Sequence, residues 1–363
     1  MASGSGIPGV RHRRPIGRAA LVVALAWLTG CSATGPTTAP SPPTSAPSST
    51  PSIGPPASGA ALSSPSPTLP ELGGSWTAGA DLPNALGEIA STTVDGRIYV
   101  AGGIGPRALS NTTFQSYDPK TGTWRELAPM PEPRDHVGIA AIGRTIYATG
   151  GAIFSLPSVF GQLWAYDIDT NSWSTLAPMP ARRWAHVMYA LDGRLYVFGG
   201  VVFEAPKAAP TWAYDPATDT WSTDLPPMPT YREHLTGVVV DGDAWLIGGR
   251  DGRNLTAVEV FDPATLTWTS MPAMPTARGG LTAGLIGHRI HLTGGENLDN
   301  LSVYREHEVF DLETMTWFRA PPMPHPRHGL ASSVIDGRWY VIGGGLHGGV
   351  ASSAFVEIFT PAP

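Results

Sequence analysis

The chain has 363 residues, with 43 glycines and 37 prolines but only 14% charged side chains, a composition that suits short strands and frequent turns rather than helices. Its formal net charge is −6. The only charged residues before Cys31 are Arg11, Arg13, Arg14 and Arg18, which leaves 19 of the 23 basic residues against all 29 acidic ones from there on. That balance excludes a nucleic-acid partner, because no basic stripe is present to displace phosphate counterions.

At the N-terminus the four arginines precede an apolar run from Ala19 to Leu28, too short to span a bilayer as a finished helix. Leu28-Thr29-Gly30-Cys31 follows, and it resembles a bacterial lipobox. The resemblance implies a signal peptide over residues 1–30, removed to leave a diacylated Cys31, and an exported protein anchored by lipid to the cell envelope. Cys31 is the single cysteine of the chain. An intrachain disulfide, a thiolate metal site in the folded domain and a cysteine nucleophile are therefore excluded.

Residues 31–72 hold the cysteine and then almost only Pro, Ser, Thr, Ala and Gly, with Glu71 the sole charge after it. Such a segment cannot bury enough apolar surface to offset chain entropy, so a disordered stalk is expected. The folded domain is expected over 73–363.

Six Gly-Gly pairs recur in that domain, at 102–103, 150–151, 199–200, 248–249, 294–295 and 343–344. A period of this length means one supersecondary unit copied six times. The third copy shows its parts. Val187–Leu191 and Arg194–Phe198 are strand-like runs joined by Asp192-Gly193, the two-residue signal of a tight hairpin. Trp212-Ala213-Tyr214 forms a third run, Asp215-Pro216 opens a turn, and Trp221-Ser222-Thr223 begins a fourth. Each unit is thus four short antiparallel strands.

The Gly pair after the second strand, the aromatic-Asp after the third (Tyr117-Asp118, Tyr166-Asp167, Tyr214-Asp215, Phe261-Asp262, Phe310-Asp311) and the tryptophan of the fourth resemble the kelch repeat. The resemblance implies an all-β, six-bladed β-propeller. The last copy ends at Thr360-Pro361-Ala362-Pro363 without its tryptophan, whereas Trp76 stands ahead of the first complete copy. A strand around Ser75-Trp76-Thr77 is therefore expected to complete the last blade and close the ring, which removes the exposed sheet edges. The equal spacing of Trp76, Trp124, Trp173, Trp221, Trp268 and Trp317 assigns them to packing between blades.

The 1–2 and 3–4 turns of such a meander lie on one face, and the 2–3 loops and 4–1 connections lie on the other. The 2–3 loops differ in sequence between copies, so binding is expected there. An arginine stands three residues after the Met-Pro proline in five copies: Arg134, Arg183, Arg232, Arg278 and Arg327; the remaining copy has Leu86. A ring of guanidinium groups at the channel mouth would bind carboxylates or sulfates; the same arginines could instead brace loop carbonyls. Beside them His136, Trp184, Glu233, His234 and His328, which do not repeat between copies, are candidate ligand-binding residues, as are Arg250 and Arg253 in a 2–3 loop. No catalytic residue, cofactor or metal site is expected, since the histidines are dispersed over the blades.

The expected function is that of a surface-anchored binding module, a monomer that holds a glycan or a protein at the channel mouth. The alternative is a carbohydrate-active isomerase similar to the kelch N-acetylneuraminate epimerases, with Glu233-His234 and Glu88 as the nearest acid/base candidates. Galactose-oxidase-like chemistry is excluded, because it needs a cysteine cross-linked to a tyrosine.

Overall fold

The computed structural model describes residues 69–156 and 158–363. The expected signal peptide, Cys31 and nearly all of the expected stalk lie outside the described residues. Packing begins slightly earlier than expected: the Leu72 amide donates to the Arg319 carbonyl and the Arg319 amide to the Pro70 carbonyl, so residues 70–72 already belong to the domain.

Six four-stranded antiparallel sheets succeed one another along the chain. The first blade is typical, with Ala90–Val94, Arg97–Ala101, Phe114–Asp118 and Thr123–Glu126 paired in order. Four of the six 1–2 hairpins turn through Asp-Gly with positive φ at both residues, for example 47° at Asp192 and 73° at Gly193. That is the type I′ geometry whose twist matches the flanking strands. At the 3–4 turns the strand-ending aspartate caps the loop, as where the Ala217 amide donates to Asp215 Oδ1 at 2.9 Å.

The sixth blade is made from both ends of the domain. Gly74–Ala78 pairs antiparallel with Val356–Pro361, placing Trp76 opposite Phe359. The expected closure is therefore present, and every blade has four strands.

The hydrophobic core lies between neighbouring blades as six clusters. Each registered tryptophan belongs to one of these interfaces and donates its Nε1–H to a carbonyl of the preceding blade's exit: Trp173 to Ala128 at 2.9 Å, Trp221 to Ala177 at 2.9 Å and Trp76 to Pro321 at 2.7 Å. Their expected packing role matches this placement. The first strand of each blade lines the central channel, which encloses a cavity of about 200 Å³.

Candidate functional site

The loop-face end of the channel is framed by one residue from each blade, two positions after the arginine or its Leu86 counterpart. These are Glu88, His136, Ala185, His234, Gly280 and Gly329, and all six have positive φ. Their backbones form a closed circle of hydrogen bonds. Glu88 N–H donates to the Gly329 carbonyl (2.9 Å), His136 to Glu88 (3.2 Å), Ala185 to His136 (3.2 Å), His234 to Ala185 (3.0 Å), Gly280 to His234 (2.8 Å) and Gly329 to Gly280 (2.8 Å). The frame fixes where its side chains stand. A left-handed conformation is costly for glutamate and alanine and less so for histidine. Strain of this kind concentrates at functional sites.

The three polar members of the frame converge. His136 Nε2 lies 3.2 Å from Glu88 Oε2 and 3.1 Å from His234 Nε2. Gly329 makes room for this, since a Cβ there would stand 2.5 Å from Glu88 Oε1. Around the frame a second tier pairs the preceding residue of each 4–1 connection with the residue after the Gly pair, as in Asp135 with Ala152, Glu233 with Arg250 and His328 with Gly345. This tier holds the first. Asp135 Oδ1 accepts from His136 Nδ1 at 2.5 Å, and the Glu233 carboxylate lies against His234 Nδ1. Arg250 donates Nε–H to Glu233 Oε1 at 2.6 Å, pairs with Glu296, and reaches His234 Nε2 at 3.0 Å. His328 Nε2 lies 3.2 Å from Glu88 Oε1. Trp184 closes one side, edge-on to His136 and His234 at ring separations of 5.0 and 5.7 Å.

Burial and neighbours divide the titrating groups. Burial alone would raise Glu88, but His136, His328 and His234 hold it well below the usual carboxylate range. Burial would lower His136 and His328, yet the carboxylates of Glu88 with Asp135, and of Glu88 with Glu296, raise both. His234 is pushed well down, first by burial and then by Arg250 and His136. Protonatable and neutral imidazoles thus stand in contact within one cluster.

Of the residues expected at the mouth, His136, Trp184, Glu233, His234, Arg250 and His328 are brought together here, with Glu88 from the alternative reading. Arg253 is not part of the cluster and lies exposed on its loop. The ring of arginines is a correction: Arg134, Arg183, Arg232, Arg278 and Arg327 are all fully buried inside their blades. Each reaches the residue at the second position of its own blade's third strand. Arg232, Arg278 and Arg327 pair with Glu259, Glu308 and Glu357. Arg183 lies 3.8 Å from the ring centre of Trp212 and donates to the Pro210 carbonyl, and Arg134 pairs with Glu132 at 2.6 Å and stacks on Phe160 at 3.5 Å, with Trp164 at 5.0 Å. A buried guanidinium must be paired where it is buried, so none is left for a ligand. Two cluster members, Asp135 and Glu296, were not anticipated. Their signal is positional: one follows the repeat arginine and the other follows a Gly pair.

The profile of the KLHDC2/KLHL20/DRC7 kelch-repeats domain matches residues 90–295, more than half of the chain. The chain belongs to the kelch-repeat family. Among curated kelch proteins, it is 30% identical over 250 residues to Kelch-like protein terF of Aspergillus terreus, covering 61% of this chain and 41% of that protein. It is 34% identical over 82 residues to Kelch-like ECH-associated protein 1B of Danio rerio, 22% of this chain and 14% of the relative. The chain thus spans less than half the length of these kelch relatives. The solved structure titled "Structure of YjhT" superposes with a TM-score of 0.65 at 22% identity, over 78% of this chain and 99% of that one, a likeness of fold.

Proposed function

We propose that this kelch propeller is an exported, lipid-anchored binding protein that engages a protein partner across its 2–3 loop face. The kelch architecture is generally a protein-binding module, and one observation supports that use here. Nine large hydrophobic side chains are exposed among the described residues. Seven of them (Leu109, Phe154, Leu156, Phe203, Leu301, Leu346 and Val350) stand on the 2–3 loops of five blades. Only Leu266 and Met315 lie on the opposite face, in 3–4 turns. An apolar crown around a polar centre is the pattern of an interaction surface. The crown is mostly aliphatic, which favours a protein over a glycan, whose sugars stack on flat aromatic faces. Of its two aromatics, Phe203 already carries the Arg182 guanidinium at 3.9 Å.

The test is site-specific photocrosslinking in the native envelope. Probes replacing Leu156 and Leu346 are expected to capture a protein partner, while probes at Leu266 and Met315 capture little. Equal capture from both faces overturns the reading. The anchor is tested separately: Cys31→Ser is expected to remain an unprocessed precursor that takes up no labelled lipid, and lipid incorporation into that variant overturns it.

The convergence of Glu88, His136 and His234 favours a second reading, a sugar isomerase in which one group takes the anomeric hydroxyl proton as another protonates the ring oxygen. Wild-type protein would then accelerate anomeric equilibration followed by NMR, and Glu88→Gln would slow it at least tenfold. Rates equal to buffer remove this reading and leave the binding module.

A further inference from the structure

The cluster has a charge and acceptor imbalance that neither reading uses. Four carboxylates (Glu88, Asp135, Glu233, Glu296) surround it, with Arg250 as the one guanidinium among them. The second tier directs the imidazoles: Asp135 accepts from Nδ1 of His136, and the Glu233 carboxylate lies against Nδ1 of His234. Both rings therefore turn their Nε2 atoms inward, 3.1 Å from one another, with Glu88 Oε2 3.2 Å from His136 Nε2. Nearest-atom separations of this size are those between neighbouring ligands of a small tetrahedral cation, whose bonds are about 2.0–2.1 Å to nitrogen and oxygen. A carboxylate on the far nitrogen of each ligating histidine is the arrangement that fixes tautomer and ring direction in metal sites.

We propose that Glu88, His136 and His234 form a binding site for a divalent first-row metal ion at the mouth of the propeller. The three donors lie within 4.8 Å of one another. Two imidazoles and one carboxylate suit Zn(II) or its neighbours and leave a fourth position for water or a ligand. The donors come from three blades but stand on the closed backbone circle, so the site is assembled by the fold without further movement of the chain. Arg250 is its competitor. Its guanidinium donates to His234 Nε2 at 3.0 Å and must give up that contact when the metal binds. Glu233 and Glu296, which already hold the guanidinium, keep it within reach of the mouth.

The experiment titrates the purified full-length chain, stripped with a chelator, with Zn(II) and Co(II). One tight equivalent is expected, and the Co(II) form should show the intense visible absorption of a four-coordinate site. His136→Asn and His234→Asn keep a residue type that tolerates positive φ, and each is expected to weaken binding at least a hundredfold. Arg250→Gln should tighten it several-fold. His288→Ala should change nothing, because it disrupts only the separate group on the turn face, in which exposed His288 and Glu313 flank buried Asp311. X-ray absorption of the Zn-loaded wild type supplies a readout that needs no variant, with two imidazoles expected in the coordination shell. Absence of a stoichiometric site, persistence of the cobalt band when His136→Asn and His234→Asn are combined in one chain, its loss in His288→Ala, or fewer than two imidazoles on zinc each overturns the proposal.

Discussion

Each repeat arginine is matched by the side chain at the second position of its own blade's third strand. The residue types at these two positions change in step across the molecule: Arg and Glu in the last three blades, Arg and Trp in the second and third, and Leu86 and Gln115 in the first. Blade one therefore shows what a blade looks like without the ion pair, with both residues still buried. Arg232→Leu should cost roughly 3–5 kcal/mol, because the Glu259 carboxylate stays buried without its partner. Adding Glu259→Gln, which recreates the first blade's combination, should recover at least half of that loss in chemical denaturation. Two single losses that simply add would show that the pair acts independently. The arginines themselves were plain in the sequence, but their direction was not. Their partners lie some 30 residues away, and a repeat position gives no sign of whether its side chain turns toward the channel or into the blade.

A residue-scale pH prediction concerns the channel wall and the blade interface. Burial pushes His186 and His291 down to about 3. Each is neutral in the folded state, and unfolding lets it gain a proton at its ordinary pKa near 6.5. Their stabilising contribution is thus full above about pH 6.5 and declines as pH falls toward 3. Between pH 6.5 and pH 5 each should remove about 2 kcal/mol from folding stability. His186→Leu should flatten this acid limb in urea titrations at the two pH values. An unchanged slope would mean that the ring is hydrated and titrates normally.

At the scale of elements, hairpins, turns and strand order were legible because tight turns carry local signals, Asp-Gly and Asp-Pro, that need no tertiary context. The functional cluster was only half legible. His136, Trp184, Glu233 and His234 were picked out because they differ from their counterparts in other copies. What the sequence concealed was the closed backbone circle, in which a glutamate, two histidines, an alanine and two glycines occupy one equivalent position. The common cause is positive φ, and a backbone angle is visible in a sequence only where glycine announces it. Gly329→Ala tests the circle. The added methyl group meets the Glu88 carboxylate, and the left-handed conformation itself costs about 1–2 kcal/mol. A matching fall in stability is expected, together with displacement of the Glu88 side chain in a crystal structure of the variant. Unchanged stability and an undisturbed Glu88 would show that the 4–1 connection shifts freely and that the mouth is not a rigid frame.

At the scale of the whole molecule, the ring is held shut by one strand whose partner is about 280 residues away. Gly74–Ala78 covers the edge of Val356–Pro361, and Trp76 packs against His307, Trp339 and Phe359 while donating to the Pro321 carbonyl. The other registered tryptophans make the same kind of contact with the blade immediately before them in the chain. Trp76 alone of the six donates to a carbonyl far along the chain, 245 residues away, where the others donate across 42–45 residues. Removing residues up to Ala80 leaves an uncovered strand edge, which invites pairing with other chains, and deletes a largely packed tryptophan worth roughly 3–5 kcal/mol. The truncated protein should melt at lower temperature and associate as its concentration rises. A synthetic peptide spanning residues 69–80 should restore both properties in trans, because strand addition needs only the backbone register and the Trp76 side chain. The same peptide carrying Trp76→Ala should restore neither. Rescue by the alanine peptide would place the closing energy in the backbone pairing alone, and a truncated protein that melts like the intact one would mean that the ring stays shut without its first strand.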